Sequence, residues 1–268
     1  MRENILETEW GNVYYWISDT WDKDKKTIFF FHGLTADHTM FEKQYEYFSE
    51  DYNIVGWDAP GHGKSIPFKN FNMDMGVAII EKLMGELVIK KFIAIGQSFG
   101  GYIPQAIMCR NSDSIEAFVG IGTSPYGEEY YTKSDFFWLR QVGWMCRCYP
   151  WKALKKASAK GATVTQPGYD NMLEMLSVYT QKEYARVMQD YYNAMMNDNQ
   201  NVEIKCPTLI THGDRDKVGK VKKYCDMWHE RTGFEQVSIS NAGHNANVDN
   251  PEEMNKVIYD FLSKNVVY

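Results

Sequence analysis

Residues Gly96-Gln97-Ser98-Phe99-Gly100-Gly101 follow directly on the apolar run Phe92-Ile93-Ala94-Ile95. A buried strand ending at a Ser, with Gly two residues before it and two after, points to one particular strand-to-helix turn, the nucleophile elbow. That turn is so sharp that its flanking positions have no room for side chains, which is why both are Gly. The Ser hydroxyl then stands clear of the backbone beside a helix N-terminus, whose free N–H groups favour developing negative charge. Residues Tyr102–Met108 continue as a helix if Pro104 falls in its first turn, where no N–H is needed. The same pattern also arises as an ordinary strand-to-loop turn, so the rest of the chain must supply partners for Ser98.

A nucleophilic Ser needs a base, and the base needs an orienting acid. The six His are at 32, 38, 62, 212, 229 and 244. His244 is the best candidate base. It lies in the polar loop Ser240–Asn247, between the strand-like Gln236–Ile239 and a helix signalled by Asn250 as N-cap, Pro251 at the first position and Glu252 and Glu253 in the first turn. His212 reads as a strand-end residue and His229 as one on a helix surface. The acid is expected between nucleophile and base in this chain order. There the strand-like Cys206–His212 opens into Gly213-Asp214-Arg215-Asp216-Lys217-Val218. Asp214, directly after the Gly, suits a turn or cap role. Asp216, deeper in the loop and just before an apolar residue, is the preferred acid, with Asp214 as its competitor.

Together with Phe31-His32-Gly33-Leu34 and Trp57-Asp58-Ala59-Pro60-Gly61-His62-Gly63-Lys64-Ser65, these segments follow one another in the order characteristic of the α/β-hydrolase superfamily. The chain resembles its single-domain serine hydrolases with a helical cap, over nearly its whole length except about 125–200. The resemblance implies Ser98 as nucleophile, Asp216 as acid and His244 as base. It also implies an oxyanion hole made by the backbone N–H groups of Leu34 and Phe99. Relatives with dehalogenase or epoxide-hydrolase chemistry carry Asp where this chain has Ser98.

The segment Gly61-His62-Gly63-Lys64-Ser65 imitates the end of a phosphate-binding loop, but position 58, where that pattern needs its first Gly, is Asp58, and Pro67 follows closely. A structural turn is the better reading. Alternating strand and helix signals favour a mostly parallel sheet with helices on both faces. Eight strands are expected near Ile5–Glu9, Val13–Ser18, Thr27–Phe31, Tyr52–Trp57, Lys91–Ile95, Ala117–Ile121, Thr208–Thr211 and Gln236–Ile239. Helices are expected near 39–49, 72–88, 99–110, 218–231 and 251–264. Residues 125–200 break the alternation. Rich in Tyr, Trp, Phe and Met, they read as a helical cap of about four helices, inserted into a core formed by residues 1–124 and 201–268. An insertion at that point overlies the strand C-termini, where ligands bind.

With 268 residues, 44 % hydrophobic and 24 % charged, the chain has the ordinary composition of a soluble globular protein. Its net charge of −6 argues against nucleic acid or an anionic membrane as the main partner. No run approaches the ~18 apolar residues of a membrane span. Met1–Glu7 lacks the apolar core of a signal peptide, so the cytoplasm is the expected location. The five Cys are odd in number and scattered, as reduced thiols are, and neither they nor the His form a ligand cluster, so no metal or cofactor is expected. The expected function is hydrolysis of a small apolar ester, thioester or lactone through an acyl-enzyme on Ser98. The alternatives are other chemistry on the same triad (C–C bond hydrolysis, a lyase step or perhydrolysis) and a non-enzymatic ligand receptor.

Overall fold

The computed structural model describes residues 1–68 and 70–266. Eight strands form one sheet in the order β1-β2-β4-β3-β5-β6-β7-β8. They are β1 (Arg2–Thr8), β2 (Gly11–Ile17), β3 (Thr27–Phe31), β4 (Asn53–Trp57), β5 (Phe92–Gln97), β6 (Ile115–Ile121), β7 (Thr208–Gly213) and β8 (Glu235–Ile239). The β1–β2 and β2–β4 pairings are antiparallel and the others parallel. This is the mostly parallel eight-stranded sheet that the alternating pattern predicts. Parallel strands need helical crossovers, which cover both faces. Accordingly β3, β4, β5 and β7 are buried at every position, whereas the edge strands β1 and β8 carry exposed residues.

The crossover helices begin and end where local chemistry dictates. They are α1 (Glu42–Phe48), α2 (Met73–Glu86) and α3 (Tyr102–Arg110), with α8 (Val221–Thr232), α9 (Ala246–Asp249) and α10 (Pro251–Asn265) after β7. Asn72 caps α2 by accepting from the Met75 N–H, and Asn250 caps α10 by accepting from the Glu253 N–H. Each such cap contributes about 1 kcal/mol. Gly233, at φ +72°, closes α8 in the left-handed conformation that glycine adopts without strain. The short α9 falls where the sequence suggests only a polar loop.

Four further helices lie between β6 and β7: α4 (Lys133–Cys148), α5 (Trp151–Ala162), α6 (Gln166–Met175) and α7 (Gln181–Asn197). Reciprocal capping boxes start two of them, Thr132 with Asp135 at α4 and Thr180 with Glu183 at α7. Tyr191 of α7 fixes this layer to the sheet. Its ring stacks on Phe71 at 3.9 Å between centroids, and its hydroxyl donates to the Pro60 carbonyl (2.7 Å). Among the described residues no helix is long and apolar enough to cross a membrane.

Candidate active site

β5 runs through the middle of the sheet, between β3 and β6, and delivers Ser98 at its C-terminal end. Ser98 sits at φ +49°, a left-handed conformation that costs a non-glycine residue about 1–2 kcal/mol. The packing around the turn leaves no room for side chains at its flanking positions. A Cβ at position 96 would lie 2.5 Å from the Gly101 Cα, and one at position 100 would lie 2.0 Å from the Phe31 carbonyl oxygen. Residues Ser98–Gly101 form a tight helical turn that leads into α3, with Pro104 in the first turn of that helix.

The loops after β7 and β8 bring the two other residues to Ser98. The Ser98 hydroxyl lies 2.8 Å from His244 Nε2, and His244 Nδ1 lies 2.8 Å from Asp216 Oδ2. Because the carboxylate can only accept, Nδ1 carries the proton and the Nε2 lone pair faces the hydroxyl. The Asp216 side chain is 0 % exposed and that of His244 is 6 % exposed, so the His244–Asp216 contact is screened from water. Asp216 Oδ1 also accepts from the Val218 N–H (2.8 Å), which fixes the carboxylate plane.

Asp214 faces elsewhere. It accepts from the Ala242 N–H (3.0 Å), and its own N–H donates to the Ile239 carbonyl (2.9 Å), so it ties the Asp216 loop to the His244 loop. The two loops touch at Gly213, where a Cβ would lie 2.1 Å from the Gly243 carbonyl oxygen. Of the remaining His, His212 lies buried in β7 and His229 exposed on α8, both away from this relay.

Two positioning residues escape the sequence reading. The Gln97 amide donates to the His244 carbonyl (3.0 Å) and to Asn245 Oδ1 (3.2 Å), holding the base's loop from the elbow itself. Asp249, in α9, accepts from the N–H groups of Gly243 (2.8 Å), Val164 (3.0 Å) and Thr165 (3.0 Å), which links that loop to the α5–α6 junction. Gln97 adjoins Ser98 in sequence and could have been suspected. Asp249 carries no local signal, because all but one of these contacts span more than eighty residues.

A second polar cluster lies beneath the loop after β3. His32 donates from Nδ1 to the Gly33 carbonyl (2.8 Å) and accepts at Nε2 from the Ala59 N–H (2.9 Å), an arrangement that requires the neutral ring. The fold also gathers Asp37, His38 and Asp58 to within metal-ligating distance of one another, a grouping absent from the linear sequence. Three of the four carboxylate oxygens already accept: Asp58 Oδ1 from His38, Asp58 Oδ2 from the Lys64 N–H (2.7 Å), and Asp37 Oδ1 from the Thr39 N–H (2.9 Å). Burial opposes the Asp58 charge, but the hydrogen bonds from His38 outweigh it and hold the carboxyl below its usual range. The trio is organised as a hydrogen-bonded scaffold.

Next to it, His62 is buried against Tyr179, Tyr191 and His32. Burial pushes its imidazole from 6.5 down to about 3. Between these values the unfolded chain binds a proton that the native state does not, so stability falls as pH drops through that window. We predict a loss of about 1.5 kcal/mol from this residue between pH 6.5 and pH 5. Urea unfolding of wild type and His62→Gln across that range checks it. The variant should show the flatter dependence, and parallel curves would remove His62 as the group responsible.

Ser98 opens onto two apolar cavities. One, of about 600 Å³, is walled by Phe99, Trp138, Met145, Tyr192 and Met195, beneath α4 and α7. The other, of about 230 Å³, is walled by His244, Met172, Tyr184 and Met188 on the α5–α6 side. Leu34, Ser98, Tyr192 and Val218 border both.

Known proteins share this architecture. A putative esterase/lipase of Haemophilus influenzae is 23 % identical over 247 residues, covering 89 % of this chain and 83 % of its own. The 3-oxoadipate enol-lactonase 1 of Acinetobacter baylyi is 23 % identical over 246 residues, covering 88 % of each. Among solved structures, the enol-lactonase of Burkholderia xenovorans superposes with a TM-score of 0.78 at 19 % identity, over 97 % of this chain and 100 % of its own. The family described as serine aminopeptidase, S33, matches residues 22–246. With that match covering most of its length, the chain belongs to this α/β-hydrolase family of enzymes.

Proposed function

We propose that the protein is a serine hydrolase acting on a carboxylic ester-type bond of a small apolar substrate, with Ser98 as nucleophile, His244 as base and Asp216 as acid. The observation that carries this reading is the Ser98–His244–Asp216 relay, with both contacts at 2.8 Å, at the junction of two apolar cavities. His244 takes the Ser98 proton as the hydroxyl oxygen attacks the carbonyl carbon, and Asp216 stabilises the imidazolium that forms. Collapse of the tetrahedral intermediate expels the alcohol, which His244 protonates. Water then attacks the acyl-enzyme, with His244 again as base.

The negative oxygen would be received by the N–H groups of Phe99 and Leu34. Phe99 is in the first turn of a helical segment, where N–H groups have no intrahelical partner. Leu34 follows Gly33 in a turn closed by the Ala36 N–H on the Gly33 carbonyl, so that turn makes no use of the Leu34 N–H. Removing one such donor typically costs about 2.7–4 kcal/mol of transition-state stabilisation. We further read residues 125–200 as a cap, with residues 1–124 and 201–268 as the core. That reading rests on the cavity walls, which the core supplies from Ser98 and Phe99 and the inserted helices from Trp138, Met145 and Tyr192. Two cavities meeting at the nucleophile suit the acyl and alcohol halves of one ester.

A fluorophosphonate probe with mass-spectrometric site mapping tests the assignment. Labelling at Ser98 that disappears in Ser98→Ala and His244→Ala is expected, together with turnover of p-nitrophenyl esters that peaks at butyrate to octanoate. Failure of the folded wild type to label would overturn the reading.

A further inference from the structure

The net charge of −6 hides an uneven distribution. Residues 133–160, which span α4 and α5, carry seven Lys and Arg against the single Asp135, and Asp135 is already paired with Lys220 (2.6 Å). None of the seven cations (Lys133, Arg140, Arg147, Lys152, Lys155, Lys156 and Lys160) has a carboxylate partner among the described residues.

The same segment exposes large rings. Phe137 is 55 % exposed, Trp138 58 %, Trp144 65 % and Tyr149 58 %. α4 turns Gly143 and Cys146 inward and packs against α7. Residues seven apart on a helix share one stripe, which divides the rest of α4 into three bands. Lys133, Arg140 and Arg147 form a basic band. Phe137 and Trp144 form the outward aromatic band beside it, and Trp138 and Met145 form the band that walls the larger cavity.

Aromatic rings beside unpaired cations match the headgroup layer of an anionic bilayer, where rings settle at the interface and Lys and Arg meet lipid phosphates. A second copy of this chain fits the face poorly, since a two-fold contact would bring the basic band of one copy against that of the other. We propose that the outward bands of α4, followed in the chain by the four lysines of α5, form a docking face for an anionic phospholipid bilayer. Phe137 and Trp144 enter the headgroup layer, and Lys133, Arg140 and Arg147 engage phosphate. The cavity-lining band lies next to the aromatic one, so docking brings one wall of that cavity towards the lipid. The docking concerns surface chemistry alone and holds whether or not Ser98 is a nucleophile.

Co-sedimentation with vesicles tests it. The full-length protein is mixed with phosphatidylcholine vesicles, or with vesicles containing one-third phosphatidylglycerol, at low and at half-molar salt. Wild type should partition onto the anionic vesicles at least about tenfold more than onto the neutral ones, and high salt should release it. Phe137→Ser/Trp144→Ser and Arg140→Glu/Arg147→Glu should each lower anionic binding about tenfold. None of these four residues lines either cavity, and far-UV circular dichroism with thermal unfolding reports folding independently of activity. Absence of wild-type binding, equal binding to both vesicles, or binding unchanged in both variants overturns the proposal. So does a dimer in light scattering that Phe137→Ser/Trp144→Ser dissolves in the absence of vesicle binding, since the face would then belong to a second copy.

Discussion

Ser98→Ala is expected to lower kcat on p-nitrophenyl butyrate by about 10⁵-fold or more, while leaving the thermal midpoint close to that of wild type. The substitution removes one oxygen and keeps the Cβ, so the left-handed turn at φ +49° and its glycine neighbours are undisturbed. What disappears is the atom 2.8 Å from His244 Nε2. The cavities and the N–H groups of Leu34 and Phe99 remain, so a small residual rate over water is expected from substrate binding and oxyanion stabilisation alone. Ser98→Gly separates strain from chemistry. It should be equally inactive yet more stable, because glycine adopts positive φ without the penalty that Ser98 bears. A Ser98→Ala enzyme that keeps turnover within tenfold of wild type would remove Ser98 as the nucleophile.

Much of this site is readable from the chain because its chemistry is local. The elbow is fixed by atoms only a few residues apart, such as the Gly101 backbone that leaves no room for a Cβ at position 96. Asn250 and Pro251 mark the start of α10 in the same way. The sheet follows from alternating apolar runs, and its doubly covered strands are buried throughout. Features that depend on distant segments were out of reach. The grip of Gln97 on His244 spans 147 positions, and the clustering of Asp37 and His38 with Asp58 appears only once β3 and β4 pair. The division of the space over Ser98 into two cavities depends on where α4 to α7 land, and no spacing rule specifies that. A whole-chain net charge sums over the basic stretch of α4 and α5, which only a segment-by-segment count brings out. The boundaries of the inserted helices did carry a local signal. Thr132 and Thr180 each stand three residues before an acid, and those capping boxes could have dated the starts of α4 and α7.

Spacing alone left two aspartates as candidate acids, and their environments now predict opposite outcomes on mutation. Asp216→Asn should lower kcat about 10⁴-fold at neutral pH. An amide at that position can present its NH₂ to His244 Nδ1, which would then have to accept, placing the ring proton on Nε2 and removing the lone pair that receives the Ser98 proton. The side chain is wholly buried, so no water replaces the lost acceptor. Asp214→Asn retains a carbonyl oxygen that can still accept from the Ala242 N–H, and it lies two residues before Asp216, facing away from the relay. Its kcat should stay within about threefold of wild type, with a stability loss of about 1 kcal/mol from weakening a charge-assisted hydrogen bond. Steady-state kinetics and urea unfolding on the two variants give the comparison directly. A large kinetic defect in Asp214→Asn with little in Asp216→Asn would reverse the assignment. Comparable defects in both would mean that the loop's shape, more than the carboxylate's charge, is what holds His244 in place.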